Sequence, residues 1–255
     1  MLWHPALSRK AWLDTRARFV TGLVLLLFAA GVTVYSYDRW YDLGTAGLSA
    51  LDLEQLHREE LFAAYRPHVW NGGIRSAIRQ LTALFAVVIA AGGLLSQASR
   101  GGGTFMLSLP VTRQQLLWTR TIVGLLELAA LTLLPMLLIR GLSAALGQSY
   151  STLDAVVYAL CLFVGGSVLF SATTLLSTVF SDVWRPPLIA LCGVIIFGFV
   201  LMLLAGPSSD SLLGVMTGEA WFREQRLPVV GLLMAAAVSA ALLYLTKLRL
   251  ARLDF

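Results

Sequence analysis

Long uncharged stretches separated by short polar clusters set the rhythm of this sequence. They cover Phe19–Tyr37, Gln80–Ser99, Thr121–Ile139 (interrupted only by Glu127), Ala155–Ser181, Pro186–Ser209 and Leu227–Thr246. Each reaches or approaches the roughly 20 residues that carry a helix across a bilayer at about 1.5 Å per residue. None alternates apolar and polar positions, which excludes a strand barrel. In lipid, only a helix satisfies every backbone group within a single span. The pattern therefore predicts an all-α, polytopic membrane protein with six transmembrane helices.

The segments between these runs predict smaller elements. Residues 1–18 mix Arg9, Lys10, Asp14, Arg16 and Arg18 with Trp3, Leu7, Trp12 and Leu13. That suits an N-terminal helix lying in the membrane interface, with tryptophan at headgroup depth. No short apolar core followed by a small-residue cleavage site is seen, so the first span is expected to stay attached. Residues 19–255 then form one transmembrane domain of six helices. Its internal loops are expected near 100–120 and 180–186, and its external loops near 38–77, 141–154 and 206–226. Within the first external loop, Leu48, Leu51, Leu56, Leu61 and Phe62 suit an amphipathic helix. In the last, Gly206-Pro207-Ser208-Ser209 ends the fifth helix. The apolar Leu212, Leu213, Val215, Met216, Trp221 and Phe222 that follow predict a re-entrant or interfacial segment buried in protein.

Composition agrees with a membrane setting. Of 255 residues, 58% are apolar and only 13% charged, too few polar side chains to cover a water-soluble core. The formal charge of +5 would raise nucleic-acid binding in a soluble protein, but here it speaks to topology, and no nucleic-acid partner is expected. With the N-terminus inside, the side holding both termini receives eleven Lys and Arg against three acids. The other side receives eight against ten. The excess of basic residues places both termini in the cytoplasm of a multi-pass protein of the cell (inner) membrane. Cys161 and Cys192 lie in apolar runs as small buried hydrophobes, with no metal-ligand spacing around them.

The first internal connection is the most informative. A glycine run, Gly101-Gly102-Gly103, ends the second span. Thr104 then suits a helix N-cap ahead of the apolar Phe105, Leu107 and Leu109. Pro110 stops that helix, and Thr112 can cap the next one through Gln115 into the third span. A short helix lying across the membrane surface results.

The stretch Gly103-Thr104-Phe105-Met106-Leu107-Ser108-Leu109-Pro110-Val111-Thr112-Arg113-Gln114-Gln115-Leu116 resembles the signature loop of type-2 ATP-binding-cassette (ABC) exporter permeases. There a Gly-Thr pair leads into a Leu-Ser-x-Pro-Val-Ser/Thr-Arg segment and then the third helix. The layout resembles that family along the whole chain, down to the basic tail ending Arg252-Leu253-Asp254-Phe255. One departure is that Gln97-Ala98-Ser99-Arg100-Gly101-Gly102 carries none of the acids that family members often place before the Gly-Thr pair. The resemblance implies a coupling helix that docks on a separate ATPase subunit through Thr104, Phe105, Leu107, Leu109, Pro110 and Arg113. It further implies a smaller contact by the next internal loop, through Asp182 and Arg185; that loop also reads as a tight helix–helix connection, with Pro186 at a helix start. Two ATPase copies, carrying ATP and Mg, and a second permease copy (identical or related) are the implied partners, besides membrane lipid.

Other chemistries find little support in the residues. The chain has no G-x-x-x-x-G-K-[ST] phosphate loop, so any ATP is expected on another subunit, and the chain is expected not to be an enzyme. His4, His57 and His68 all lie outside the uncharged runs, which removes a serine-type intramembrane hydrolase. His57-Arg58-Glu59-Glu60 is not a zinc motif. No catalytic or metal-ligating residue is assigned. Glu127, the one acid within a run, leaves two readings open. It lines a transport path or takes up a proton, or it pairs with Arg120 or a polar group on a neighbouring helix. A proton-coupled secondary transporter using Glu127 and a non-transporting membrane scaffold or assembly factor are therefore the alternatives to an ABC permease. Alanines in the last run and Gly92, Gly93, Gly165, Gly166, Gly193 and Gly198 suit close helix packing.

Overall fold

The structure is a computed structural model that describes residues 5–45, 65–91, 112–180, 182, 184–193, 196 and 212–251. All regular structure among them is helical. In chain order the elements are α1 (Pro5–Thr45), α2 (Tyr65–Ala90), α3 (Arg113–Ala145), α4 (Thr152–Leu176), α5 (185–193), α6 (Leu212–Thr217), α7 (Glu219–Glu224) and α8 (Val229–Ala251). Five of these, α1, α2, α3, α4 and α8, are long and apolar enough to cross a membrane. Four of them, α1, α3, α4 and α8, cover expected spans, whereas α2 overlaps the expected Gln80–Ser99 only at residues 80–90. The remaining one, expected over Pro186–Ser209, is described only at 186–193 and 196; the rest, like the amphipathic helix expected near Leu48–Phe62, lies outside the described residues.

The pairs α1 and α2, α2 and α3, and α3 and α4 each run antiparallel, and α4 stands in the middle of the bundle. Its most apolar window is 72% buried, against 28% for α1 and 22% for α8. Side-chain volume explains the centre. Leu128 and Leu131 of α3 and Leu162 and Leu169 of α4 share one core, all fully buried. Gly124 and Gly22 each receive an aromatic ring, Phe170 and Phe85 respectively, where a Cβ would collide. Such approach by small residues is how helices pack in lipid, where burial of apolar surface drives nothing. Ser171 and Ser239 share a buried 2.8 Å hydrogen bond that ties α8 to α4.

Two boundaries differ from the expectation. No break falls at residue 18: residues 5–45 form one helix, with Pro5 at its first position, where a missing N–H costs nothing. The interfacial helix expected over 1–18 is therefore not seen as a separate element among the described residues. The second difference is larger. Residues 65–77, expected as external loop, belong to α2, and Val69–Ile78 within it is π-helical. Tyr65, Val69, Ile74 and Ile78 are buried there, and Gly73 lets the turn press on Thr33 of α1. Hydrophobic contacts on one face hold these residues helical despite their polar side chains.

At the end of the bundle opposite the termini, α6 and α7 fold back onto α2 and α4. Gly218 joins them at φ 62, in the left-handed region that favours glycine, and a Cβ there would meet the Tyr158 ring at 2.8 Å. Gly165 of α4 likewise leaves room for Met216. Val215, Met216, Ala220 and Trp221 are buried, which places this apolar segment in protein.

Candidate functional site

Polar side chains gather at three places. At the terminal end, Thr112 accepts from the Gln115 N–H while the Gln115 side chain accepts from the Thr112 N–H. This capping box satisfies two of the donors that every helix start leaves open, and it fixes where α3 begins. Close by, α2 ends at Ala91, whose backbone turns extended (ψ 151). Its carbonyls are taken up by two arginines: Arg18 donates to Val88 O (3.2 Å) and Ala91 O (2.5 Å), and Arg120 donates to Ala91 O (3.2 Å). Cations are favoured at a helix C-terminus, where carbonyls lack partners and the dipole is negative.

Glu127 sits beside this cap and is 4% exposed. The Thr15 hydroxyl of α1 donates to its Oε1; among the described residues its Oε2 has no hydrogen-bond partner. A small cavity shares Thr15 with this contact and is lined also by Arg120, Thr121, Thr174 and Phe170 among others. The structure thus puts Glu127 within reach of a polar group on a neighbouring helix, as one of its two readings requires. It leaves one carboxylate oxygen able to hold a proton, as the other requires.

The opposite end carries a network that the sequence did not reveal. Arg66 Nε donates to Asp154 Oδ2 at 2.9 Å, and Trp221 Nε1 donates to Asp154 Oδ1 at 2.7 Å. The Arg66 guanidinium also reaches Phe222 O and Trp221 O, both at 3.3 Å, and Gln225 once its amide is turned. Rings continue the contact. Phe222 stacks on Trp70 at 4.0 Å and 2°, Arg66 lies over Phe222, and Arg75 lies over Trp70. Trp70 Nε1 donates to Thr217 O at 2.8 Å. The network clamps α6 and α7 to α2 and α4. Beside it Tyr65 and Ser143 share a 2.5 Å hydrogen bond, and Tyr150 is buried. Burial pushes the Tyr150 phenol well above its ordinary value, with Tyr158 and Asp154 adding to the effect.

The expected coupling residues fall unevenly. Thr104, Phe105, Leu107, Leu109 and Pro110 lie outside the described residues, and of Arg113 only its helical backbone at the start of α3 is described. Asp182 and Arg185 form a 3.3 Å ion pair whose side chains are 53% and 69% exposed. A pair so open to solvent contributes at most about 1 kcal/mol. It leaves both charges accessible. Among the described residues no group of His, Cys, Asp and Glu is placed to hold a metal ion. Sequence reasoning missed Arg66, Trp70 and Asp154 as a set. Their contacts are long-range, and the one local signal was an arginine seated four residues before a tryptophan. Compared with known proteins, the chain matches no family model, no curated protein and no solved structure.

Proposed function

We propose that this chain is the membrane subunit of an ABC exporter, forming the translocation path as a dimer and driven by separate ATPase subunits. One observation carries the reading. The segment Gly103–Leu116 resembles the coupling loop of type-2 exporter permeases, and its last residues, Thr112 and Gln115, make the capping box that starts a long membrane-type helix. A loop joined to a sharply defined helix start transmits displacement with little slack. The fan of Arg18 and Arg120 on the end of α2 ties the other side of the same loop to α1 and α3. In this reading the termini and the loop face the cytoplasm. Residues 105, 107 and 109 supply an apolar docking face, and Arg113 with Asp182 and Arg185 supplies charged contacts. The nucleotide chemistry belongs to the partner.

The test uses the full chain purified from its membrane in mild detergent. An ABC-type ATPase should co-purify with it, and Leu107→Asp with Leu109→Asp should reduce that recovery sharply while leaving the permease folded. Association unchanged by the double variant refutes the docking assignment.

The unpartnered Oε2 of buried Glu127 favours a second reading, a proton-coupled transporter. That reading expects transport without any ATPase, abolished by an uncoupler, with a pH profile that Glu127→Gln flattens. An unaltered profile removes it.

A further inference from the structure

Of the five long helices α2 is the least apolar, with a mean hydropathy of 1.4 against 2.0 to 2.4 in the others. The polar residues responsible are gathered on one face. Asn71, Arg75 and Gln80 are exposed, and Ser76 and Arg79 are half-buried beside them. The π-helical section causes the gathering. Its i→i+5 hydrogen bonds widen the turn, so positions four and five apart line up where an α-helix would align positions three and four apart. Residues 71, 75 and 76 carry that spacing, and Arg79 and Gln80 follow at the start of the α-helical part.

Their depth follows from neighbours. Against α1, Gly22 packs on Phe85 and Gly73 on Thr33, which sets residue 79 level with about residue 28, the centre of the uncharged run Phe19–Tyr37. Against α3, Leu128 meets Gly166 beside Thr82, and Tyr65 bonds Ser143. Those pairs bracket residue 79 at about residue 131, beside the centre of the run Thr121–Ile139. Both neighbours place Arg79 midway through the slab, with Arg75 one turn toward the opposite end. Among the described residues neither arginine is in an ion pair. Arg75 is held with its guanidinium 5.4 Å from the Trp70 ring centroid. From the middle of a core about 30 Å thick, an arginine side chain does not reach either surface. An intramembrane arginine faces a cavity or a partner rather than lipid.

We infer that the Asn71–Arg75–Arg79–Gln80 face of α2 lines a water-filled path across the membrane and binds an anionic oxygen group, a phosphate or carboxylate, on the molecule that crosses. Two guanidinium forks one turn apart suit such a group, and the two side-chain amides add neutral donors. The inference rests on the permease reading, for which it names the substrate class: an anion, whether a lipid headgroup or a soluble molecule.

The experiment uses the full chain with Cys192→Ser, because Cys192 is exposed whereas Cys161 is buried. The protein is placed in phosphatidylcholine vesicles without any ATPase. Gln80→Cys is treated with anionic and cationic membrane-impermeant thiosulfonates, and Leu126→Cys, at an exposed apolar position of α3, serves as the lipid-facing control. The expected result is labelling at position 80 but not at 126, about tenfold or more faster with the anionic reagent. Arg75→Gln with Arg79→Gln should abolish that preference. Inorganic phosphate that slows labelling identifies a soluble anion. Slowing by added phosphatidylglycerol alone identifies a lipid headgroup. No labelling by either charged reagent, equal rates for the two, or protection by neither anion overturns the inference. Asn71→Cys, higher on the same face, repeats the measurement should Gln80→Cys misfold. If charge-selective labelling persists while no ATPase associates with the chain, the permease reading fails and the anion-lined face stands. If labelling fails while an ATPase associates, the reverse holds.

Discussion

Asp154→Asn probes the clamp at the opposite end with one atom exchanged for another of nearly equal size. The wild-type carboxylate accepts from Arg66 Nε at 2.9 Å and from Trp221 Nε1 at 2.7 Å. An amide offers a single oxygen and no charge, so one of the two donors loses its partner and the other loses charge assistance. A hydrogen bond to a charged group contributes about 1.5–3 kcal/mol. Breaking a fully buried pair costs about 3–5 kcal/mol. The Asp154 side chain is 8% exposed but that of Arg66 is 26% exposed, so solvent takes back part of the loss. Arg66 also keeps two backbone carbonyls. The expected cost is about 2–3 kcal/mol, charged mainly to the docking of α6 and α7. At 0.59 kcal/mol for RT, that raises the undocked population about 30- to 150-fold. Hydrogen exchange of the backbone amides at 214–222 in vesicles reads this directly, because those amides open with the segment. Acceleration below about threefold would refute the assignment of Asp154 as the anchor. Arg66→Gln alone leaves a buried carboxylate uncompensated, so the double variant should cost less than the two single variants added together.

Two further outcomes follow from local chemistry. Thr112→Ala removes one half of the capping box and should cost about 1 kcal/mol of local stability at the start of α3. Faster exchange at Gln115 and Leu116, with α4 unaffected, is the expected reading. Tyr150 holds its proton more tightly in the folded chain than in the unfolded one. Above a pH of about 10 the unfolded state releases that proton first, so stability should fall as pH rises through that range. Tyr150→Phe should flatten the alkaline arm of a thermal-melt series, and an unchanged slope would count against the assignment.

The spans were legible because the cost of a charge in lipid writes itself along the chain as uncharged runs. Four of those runs fall within membrane-type helices and a fifth overlaps one at residues 80–90, and the all-helical architecture follows from them. The α3 cap was equally legible, since a Thr with a Gln three residues on satisfies its own helix start without outside help. The beginning of α2 was not. Arg66, Arg75 and Arg79, with Asn71-Gly72-Gly73, look like a loop when each residue is weighed by itself. They are helical because Asp154, Phe222 and Trp70 hold the guanidinium groups that are nearest, and those partners stand up to 156 residues away. The charges of the first eighteen residues misled in the opposite direction, suggesting a boundary where the helix simply continues. For the site, the resemblance of Gly103–Leu116 came from sequence alone, and of that stretch the structure describes only its end, from Thr112 onward. Glu127 stood out from its run as a lone acid; its Thr15 partner, 112 residues distant, became visible only in three dimensions.

The uninterrupted α1 has a mechanical consequence. Its 41 residues make a rod about 60 Å long, roughly twice the thickness of the hydrocarbon core. Its interior holds no proline, so nothing in it acts as a joint. Pivoting such a rod by about 5° where Gly22 seats on Phe85 would swing its far end by about 3 Å, since some 35 Å of helix lies beyond that point. That is about the length of a hydrogen bond. α1 thus has the proportions of a lever, with a glycine where it bears on Phe85.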